Sequence, residues 1–394
     1  MMTNINADGT RESRSLRAVI ESHPRLSACS GTANARWLTG LTALLLGAAL
    51  VTAPNASATA PTHGAGGAVA AGHELPAGPL STLDAVNDRG VVAGMNTLGH
   101  AATWNPTTNQ ELDLGLLPDS YNSQALALNN HGDAAGVSRA RLDASYDMHA
   151  FCWTSRGGMT DLGTLGGRFS TASAINDHRS VVGYSSLANS QASHAFLWTP
   201  RGGIVDLGTL PGTTDSVATD INDHDQVVGY SYALITDPTG QHQVTHGFQW
   251  TSRTGMTDLG TLGGDDVQAA AINDKGAVAG TATTTAGSPH VFSWTQRGGI
   301  TDLGTIGQQN ITVRGLTDTG AITGSRQGGP SPDIIRAYLF TPRHGFQDLG
   351  LPTSDQGTSF ANAMNNKGRI VGSVREGDLN TPYRNFIWQA DHLH

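Results

Sequence analysis

The chain has 394 residues, of which 50 are Gly and 16 Pro, with only 14% charged and a formal net charge of −9. A weakly charged, turn-rich composition of this kind points to a β protein. Beyond residue 58 the balance is 18 basic against 29 acidic residues, and Lys275 and Lys367 are the only lysines; nucleic-acid binding, which needs clustered cations, is excluded.

At the N-terminus, Arg36 precedes the uncharged apolar run Trp37–Val51, and Ala56-Ser57-Ala58 follows as an A-x-A cleavage pattern. The run is shorter than the ~20 residues that span a bilayer. Residues 1–58 therefore read as a signal peptide and 59–73 as a flexible linker; residues 74–394 are the mature domain. The expectation is a secreted, extracellular protein with no membrane contact after cleavage; an uncleaved anchor is the competing reading.

The remainder is repetitive. The element Ala-(Ile/Val/Leu)-Asn-x-x-Gly recurs with its key residue at Asn87, Asn129, Asn176, Asn222, Asn273, Thr317 and Asn365, spaced by 42, 47, 46, 51, 44 and 48. Each of these seven units, roughly 46 residues long, carries four short β-type runs bounded by turn residues. In the third unit they are Ser170–Asn176, Val181–Ser185, His194–Thr199 and Val205–Leu210. The Asn opens a type I turn, and the following Gly takes the left-handed position that closes a hairpin. Most of the glycines belong to such hairpins. Arg179 and Asp225 replace the Gly in two units; Arg tolerates that conformation less well, so the 176–183 turn is expected to be strained.

Four strands in about 46 residues is the size of a propeller blade. The predicted fold is all-β, a seven-bladed β-propeller of four-stranded repeats. The last unit lacks its fourth run, and Leu75-Pro76 precedes Asn87 by 12 residues, as Leu210-Pro211 precedes Asn222. Residues 66–76 are therefore expected to supply the N-terminal strand that closes the last blade, hiding two exposed edges. A linear array of β units is the alternative.

The units resemble the HAF family of probable extracellular repeats, named for the tripeptide at His149-Ala150-Phe151 and His194-Ala195-Phe196, with variants His246-Gly-Phe248 and His290-Val-Phe292. The Ile-Asn-Asp-x-Gly and Thr-Asp-Leu-Gly-Thr-Leu-Gly-Gly runs look like that family too, and the likeness covers about residues 74–390. It implies an exported or surface protein and no defined chemistry. Unit six departs most, with Thr317 and Arg336-Ala-Tyr338.

Each unit also carries His or Arg (His100, His149, His194, His246, His290, Arg336, Arg384), an aromatic four residues on, and an Asp further on (Asp113, Asp161, Asp206, Asp258, Asp302, Asp348). Arg cannot ligate a metal, and what it shares with His is hydrogen-bond donation, so a structural His–Asp pair against an aromatic wall is expected. The Asp220–Asp225 run invites a calcium reading, but Ser231 stands where a bidentate Glu is needed; no cofactor is expected. Cys152, the lone cysteine after Cys29 is removed, reads as a small strand residue rather than a nucleophile.

Function is therefore expected outside the repeat. Connections after the second and fourth strands share one face, and variable loops on a rigid scaffold are where binding concentrates. The candidate ligand-binding residues are Arg139, Arg141, Tyr146, Asp147, Phe169, Asp215, Tyr232, Asp265, Asp266, Arg375 and Tyr383. The expected function is a binding or interaction module for an extracellular polysaccharide, a cell-wall component or a protein, acting as a monomer. The alternative is an extracellular propeller-fold hydrolase or lyase using paired carboxylates such as Asp215 with Asp265 or Asp266.

Overall fold

The computed structural model describes residues 73–74, 78–142, 145–237, 240–307, 309–327, 334–351, 357–377 and 381–390, with backbone alone at 73–74, 141–142, 145–146 and 309. The expected signal peptide and all of the linker but residue 73 lie outside the described residues. Among those described there is no helix, and the chain is all-β with many short strands.

The strands fall into repeating groups of four, antiparallel and sequential within each group, and single parallel pairings, Phe169 with Met148 and Thr245 with Asp266, join two pairs of groups into eight-stranded sheets. The third unit is typical: Gly166–Ile175, Val181–Leu187, Ser193–Thr199 and Gly203–Gly208 pair in that order. The last group takes Gly357–Met364, Arg369–Glu376 and Arg384–Gln389 from the C-terminus, and its outer strand is His73–Glu74, paired with Ile387 and Phe386. Residue 73 is thus in a strand, and the rest of the 66–76 segment, Glu74 apart, lies outside the described residues. Two further contacts join N- and C-terminal units: Asn365 Nδ2 donates to Asn87 O at 2.8 Å, and Val371 and Ile387 pack with Leu80, Leu83, Val86 and Trp104.

Two features hold neighbouring units together. The aromatic of the His-x-Phe tripeptide is fully buried (Phe151, Phe196, Phe248 and Phe292), packed with the Ala and Val of the adjoining unit. Such apolar contact surfaces, each worth ~1.5–3 kcal/mol per buried side chain, are the core. The second strand of every unit also holds a glycine that approaches the first strand too closely for any side chain. A Cβ at Gly94, Gly136, Gly183, Gly229, Gly280, Gly324 or Gly372 would lie between 1.8 and 2.1 Å from a carbonyl oxygen of that strand. The close approach accompanies a β-bulge in the first strand, as between Ala172 and Ala174 opposite Gly183 and Val182. These glycines are set by packing rather than by turns.

Candidate functional site

The two ends of the units differ in chemistry. At one end lie the Asn turns. In the third unit Asn176 Oδ1 accepts the N–H of His178 at 3.1 Å and of Ser180 at 2.9 Å, while its Nδ2 donates to Asn222 O of the next unit at 3.0 Å. The same inter-unit bond runs from Asn87, Asn129, Asn222 and Asn273, and from Asn365 to Asn87. Thr317 has no amide to give, and the bond is missing there. A second circuit uses the residue after each Asn: the backbone N–H of Asp88 donates to Asn130 Oδ1, and the pattern continues through Asp177, Asp223, Asp274, Asp318 and Asn366 back to Asp88. These side chains and the ends of the first strands line one cavity. Its carboxylates are occupied by backbone donors, and among the described residues no group of three or more His, Cys, Asp or Glu could hold a metal ion. Arg179 takes φ +67°, the left-handed conformation expected for it, and its Nε donates to Asp133 Oδ2 of the preceding unit at 2.7 Å.

The His–Asp expectation is realised in five units. Nδ1 of His100, His149, His194, His246 and His290 lies 2.7–3.0 Å from the paired Asp. Each Asp also accepts the N–H of the Gly two residues on, as Asp161 does from Gly163 at 2.8 Å. The pairs sit on partly exposed outer strands. The Asp161 bond raises the His149 pKa; although partial burial pushes the other way, the His149 bond holds the Asp161 carboxyl below its usual value. Unit six departs: Asp348 is bound at 2.6 Å by Arg326 of the second strand, and Arg336 instead reaches Gly357 O of the following unit. The longer guanidinium spans a junction that imidazole cannot. Cys152 is buried, and burial pushes its thiol up to about 12, which leaves no nucleophilic thiolate at neutral pH.

At the opposite end the repeat gives way. Second and third strands extend into hairpins of unequal length, the longest being Val227–Asp237 with Gly240–Thr251. Phe169 meets Tyr184 edge-on with ring centroids 6.2 Å apart, and Tyr232 lies 6.1 Å from Tyr230. The Arg375 guanidinium sits 4.7 Å over the Tyr383 ring, which also contacts Phe360 at 5.8 Å. Asp147 accepts from Arg168 Nε at 3.0 Å, and Asp215 from the Ser193 N–H at 2.9 Å. Gln268 donates to Asp266 at 3.1 Å, and Asp265 is exposed. Arg141 and Tyr146 face one another across the hairpin in backbone register, and their side chains lie outside the described residues. Asp215 and Asp266, the acids of the hydrolase alternative, thus engage separate partners.

Sequence reasoning missed the residues between these groups: Asp84, Gln124, Tyr184, Tyr230 and Arg314. Asp84 and Arg314 occupy the bulge position of the first strand, held elsewhere by Leu126, Ser173, Thr219, Ala270 and Asn362. A charge in a register otherwise apolar or weakly polar was the available signal. Asp84 accepts from Gln124 Nε2 of the next unit at 2.9 Å and from Thr82 Oγ1 at 2.6 Å. Burial pushes its carboxyl up against the pull of those bonds and of Arg314 and Arg139. Burial likewise lowers the Arg139 guanidinium value and raises the Tyr230 phenol to about 12, whereas Arg314 is exposed.

No protein-family model and no curated protein matches the chain. Solved structures do. One is the β-propeller domain of the trilobed protease from Pyrococcus furiosus, 6% identical, with TM-score 0.49, covering 80% of this chain and 96% of that one. Another is the Cps50 (Swd1) β-propeller domain from Myceliophteria thermophila, 10% identical, TM-score 0.45, covering 81% and 100%. An oligogalacturonate lyase in complex with manganese is similar at 10% identity and TM-score 0.41, covering 77% and 74%. The overlap is loose, so the reading of this chain rests on its own bonds.

Proposed function

We propose that the chain is an exported, closed seven-bladed β-propeller that works as a binding module, with its ligand at the mouth formed by the unequal hairpins. Closure is supported by the pairing of His73–Glu74 with Arg384–Gln389 and by the side-chain circuit that returns from Asn366 to Asp88. Deleting 66–76 would then lower the melting temperature of the whole domain; an unchanged melt would sink the closed ring. Export rests on the apolar run Trp37–Val51 and the Ala56-Ser57-Ala58 pattern.

The observation that carries the binding reading is the contrast between the two ends. At the turn end, polar side chains satisfy one another in every unit. At the mouth, rings and a guanidinium that do not recur from unit to unit sit at the hairpin ends: Phe169, Tyr232, Arg375 and Tyr383. Aromatic and guanidinium groups that keep part of their surface in solvent on a rigid frame, with Tyr383 the most exposed, are what saccharides and proteins are held by. The test is retention on an array of surface polysaccharides and surface proteins. Binding by the folded domain that is lost in Tyr232→Ala or Tyr383→Ala is expected. No retention by a folded sample, or retention indifferent to both variants, would overturn the reading.

A further inference from the structure

The end that holds the Asn turns holds a second set of turns, and these carry a residue the frame does not use. Strands alternate in direction, so the connection from third to fourth strand returns beside the Asn turn. In the third unit Val181 pairs with Trp198, and Thr199 with Gly203. In unit six the two turns touch: a Cβ on Gly320 would lie 3.3 Å from Pro342 Cγ. Units two to six build the outer turn alike. A threonine hydroxyl accepts the N–H three residues on, at Gly157, Gly202, Thr254, Gly298 and His344, at 3.0–3.2 Å. A glycine at φ +65° to +68° then closes the turn. Between them stands Arg156, Arg201, Arg253, Arg297 or Arg343. All five are exposed, and among the described residues none of their guanidinium groups has a hydrogen bond or an ion pair.

The inner turns add to the charge. Arg89, Lys275 and Lys367 occupy the exposed tip of the Asn turn, so both lysines beyond residue 58 lie at this end. The carboxylates of the same turns are engaged. Asp88, Asp177, Asp223, Asp274 and Asp318 line the central cavity, each accepting a backbone N–H. Asp225 accepts from Asn176, and Asp133 is buried against Arg179. The cavity is therefore negative and the rim around it positive. At or near the far ends of the fourth strands the sign reverses, with Asp161, Asp206, Asp258, Asp302 and Asp348. In the sequence the five arginines lie 45, 52, 44 and 46 residues apart, which hides the arc they form.

A residue repeated in five units does not mark one pocket, and a side chain without a bond does not serve the frame. An exposed charge on equivalent tips suits a partner that is itself repetitive. The outer turns hold no Phe, Tyr or Trp against which one polymer chain could stack, and none of the large exposed apolar side chains lies in them. We propose that the turn end docks on an anionic membrane surface, the arginine arc meeting lipid phosphates while the mouth faces away. This goes beyond the binding reading and leaves the mouth free for its ligand. Each cation close to such a surface adds attraction, and in roughly 0.1 M salt the field of the far-end acids fades within about 10 Å. The expectation of no membrane contact after cleavage concerned insertion; peripheral docking needs no apolar run.

The test is co-sedimentation of the mature chain, residues 59–394, with vesicles of phosphatidylcholine alone or mixed equally with phosphatidylglycerol. In roughly 0.1 M salt the mixed vesicles should be bound at least tenfold more tightly, and near 1 M the binding should vanish, as screening requires. Arg156→Ser, Arg201→Ser, Arg253→Ser, Arg297→Ser and Arg343→Ser combined should erase the preference at an unchanged melting temperature, because Thr and Gly hold these turns. Lys at the same five positions should keep it, since headgroups read charge. Should the fivefold serine variant not fold, Arg201→Ser with Arg253→Ser should give a partial loss. Equal binding to both vesicles, binding that persists near 1 M salt, a preference that survives the serine changes or one lost with Lys each overturn the proposal. Soluble polyphosphate bound as tightly as the mixed vesicles, at equal phosphate, would make an anionic polymer the partner and overturn the membrane assignment. Mouth binding on the array stands or falls separately.

Discussion

The turn end and the mouth are built from the same strands, but they obey different rules. At the turn end each Asn side chain makes the same bonds, so a residue there is read by its neighbours in the fold. At the mouth, one position of the second strand carries Arg139, Ser186, Tyr232, Thr283, Gln327 or Arg375, and the fold tolerates all of them. A position that repeats is under structural constraint; a position that varies on an invariant frame is free to serve a ligand. Hydrogen bonding separates the two ends more sharply than burial does.

The largest effect expected from breaking the frame is at the mid-strand glycines. Gly183→Ala would put a Cβ 1.9 Å from Thr171 O, and a cost of about 3 kcal/mol or more, or outright failure to fold, is expected by chemical denaturation. A hairpin glycine gives the contrast: Gly203 has φ +67° and nothing within 4 Å of a Cβ, so Gly203→Ala should cost only about 1 kcal/mol. Equal costs would contradict the packing account. Next comes the Asn circuit. Asn176→Ala leaves two backbone N–H groups and one carbonyl without their partner, and a loss of about 2–3 kcal/mol is expected. The converse change, Thr317→Asn, supplies the amide that unit six lacks and should stabilise by about 1 kcal/mol.

A smaller effect comes from Asp220, which stands where the other units have Ala85, Ala127, Ala174, Ala271, Gly315 and Ala363. Burial pushes its carboxyl up to about 7 even though it accepts the N–H groups of Ile272 and Ile221. Because the folded state holds this proton more tightly than the unfolded chain, its stabilising contribution is complete below about pH 4 and declines as pH rises towards 7. Stability should fall by about 1–2 kcal/mol between pH 5 and 8, and Asp220→Ala should flatten that slope. The smallest effect belongs to the exposed His149–Asp161 pair. The raised imidazole stabilises below its unfolded value and loses that contribution as pH climbs through the raised one. The lowered carboxyl stabilises above its unfolded value and loses it as pH falls through the lowered one. The pair therefore contributes between about pH 4 and 6.5, and melts of His149→Ala against wild type should differ most there, by no more than about 0.5 kcal/mol.

Much of the frame was legible in the sequence because it recurs. The Asn turns, the His–Asp pairs and the left-handed Arg179 follow from residue type and spacing alone. The glycines of the second strand were assigned to hairpins because a close approach between two backbones leaves no local pattern. The mouth was legible only in outline. Phe169, Tyr232, Arg375 and Tyr383 were found on variable loops, where function is expected. The bulge residues Asp84 and Arg314, three positions before the turns at Asn87 and Thr317, were not found, because a bulge is invisible until the strands are paired.

The most direct measurement is a paired binding assay of a mouth variant and a turn-end variant. Tyr383→Ala should lose retention on the array of surface polysaccharides and surface proteins at an unchanged melting temperature. Asn176→Ala, melted at a lower temperature but still folded in the assay, should keep it. If the turn-end variant lost retention and the mouth variant kept it, the division between a repeating frame and a binding mouth would be wrong.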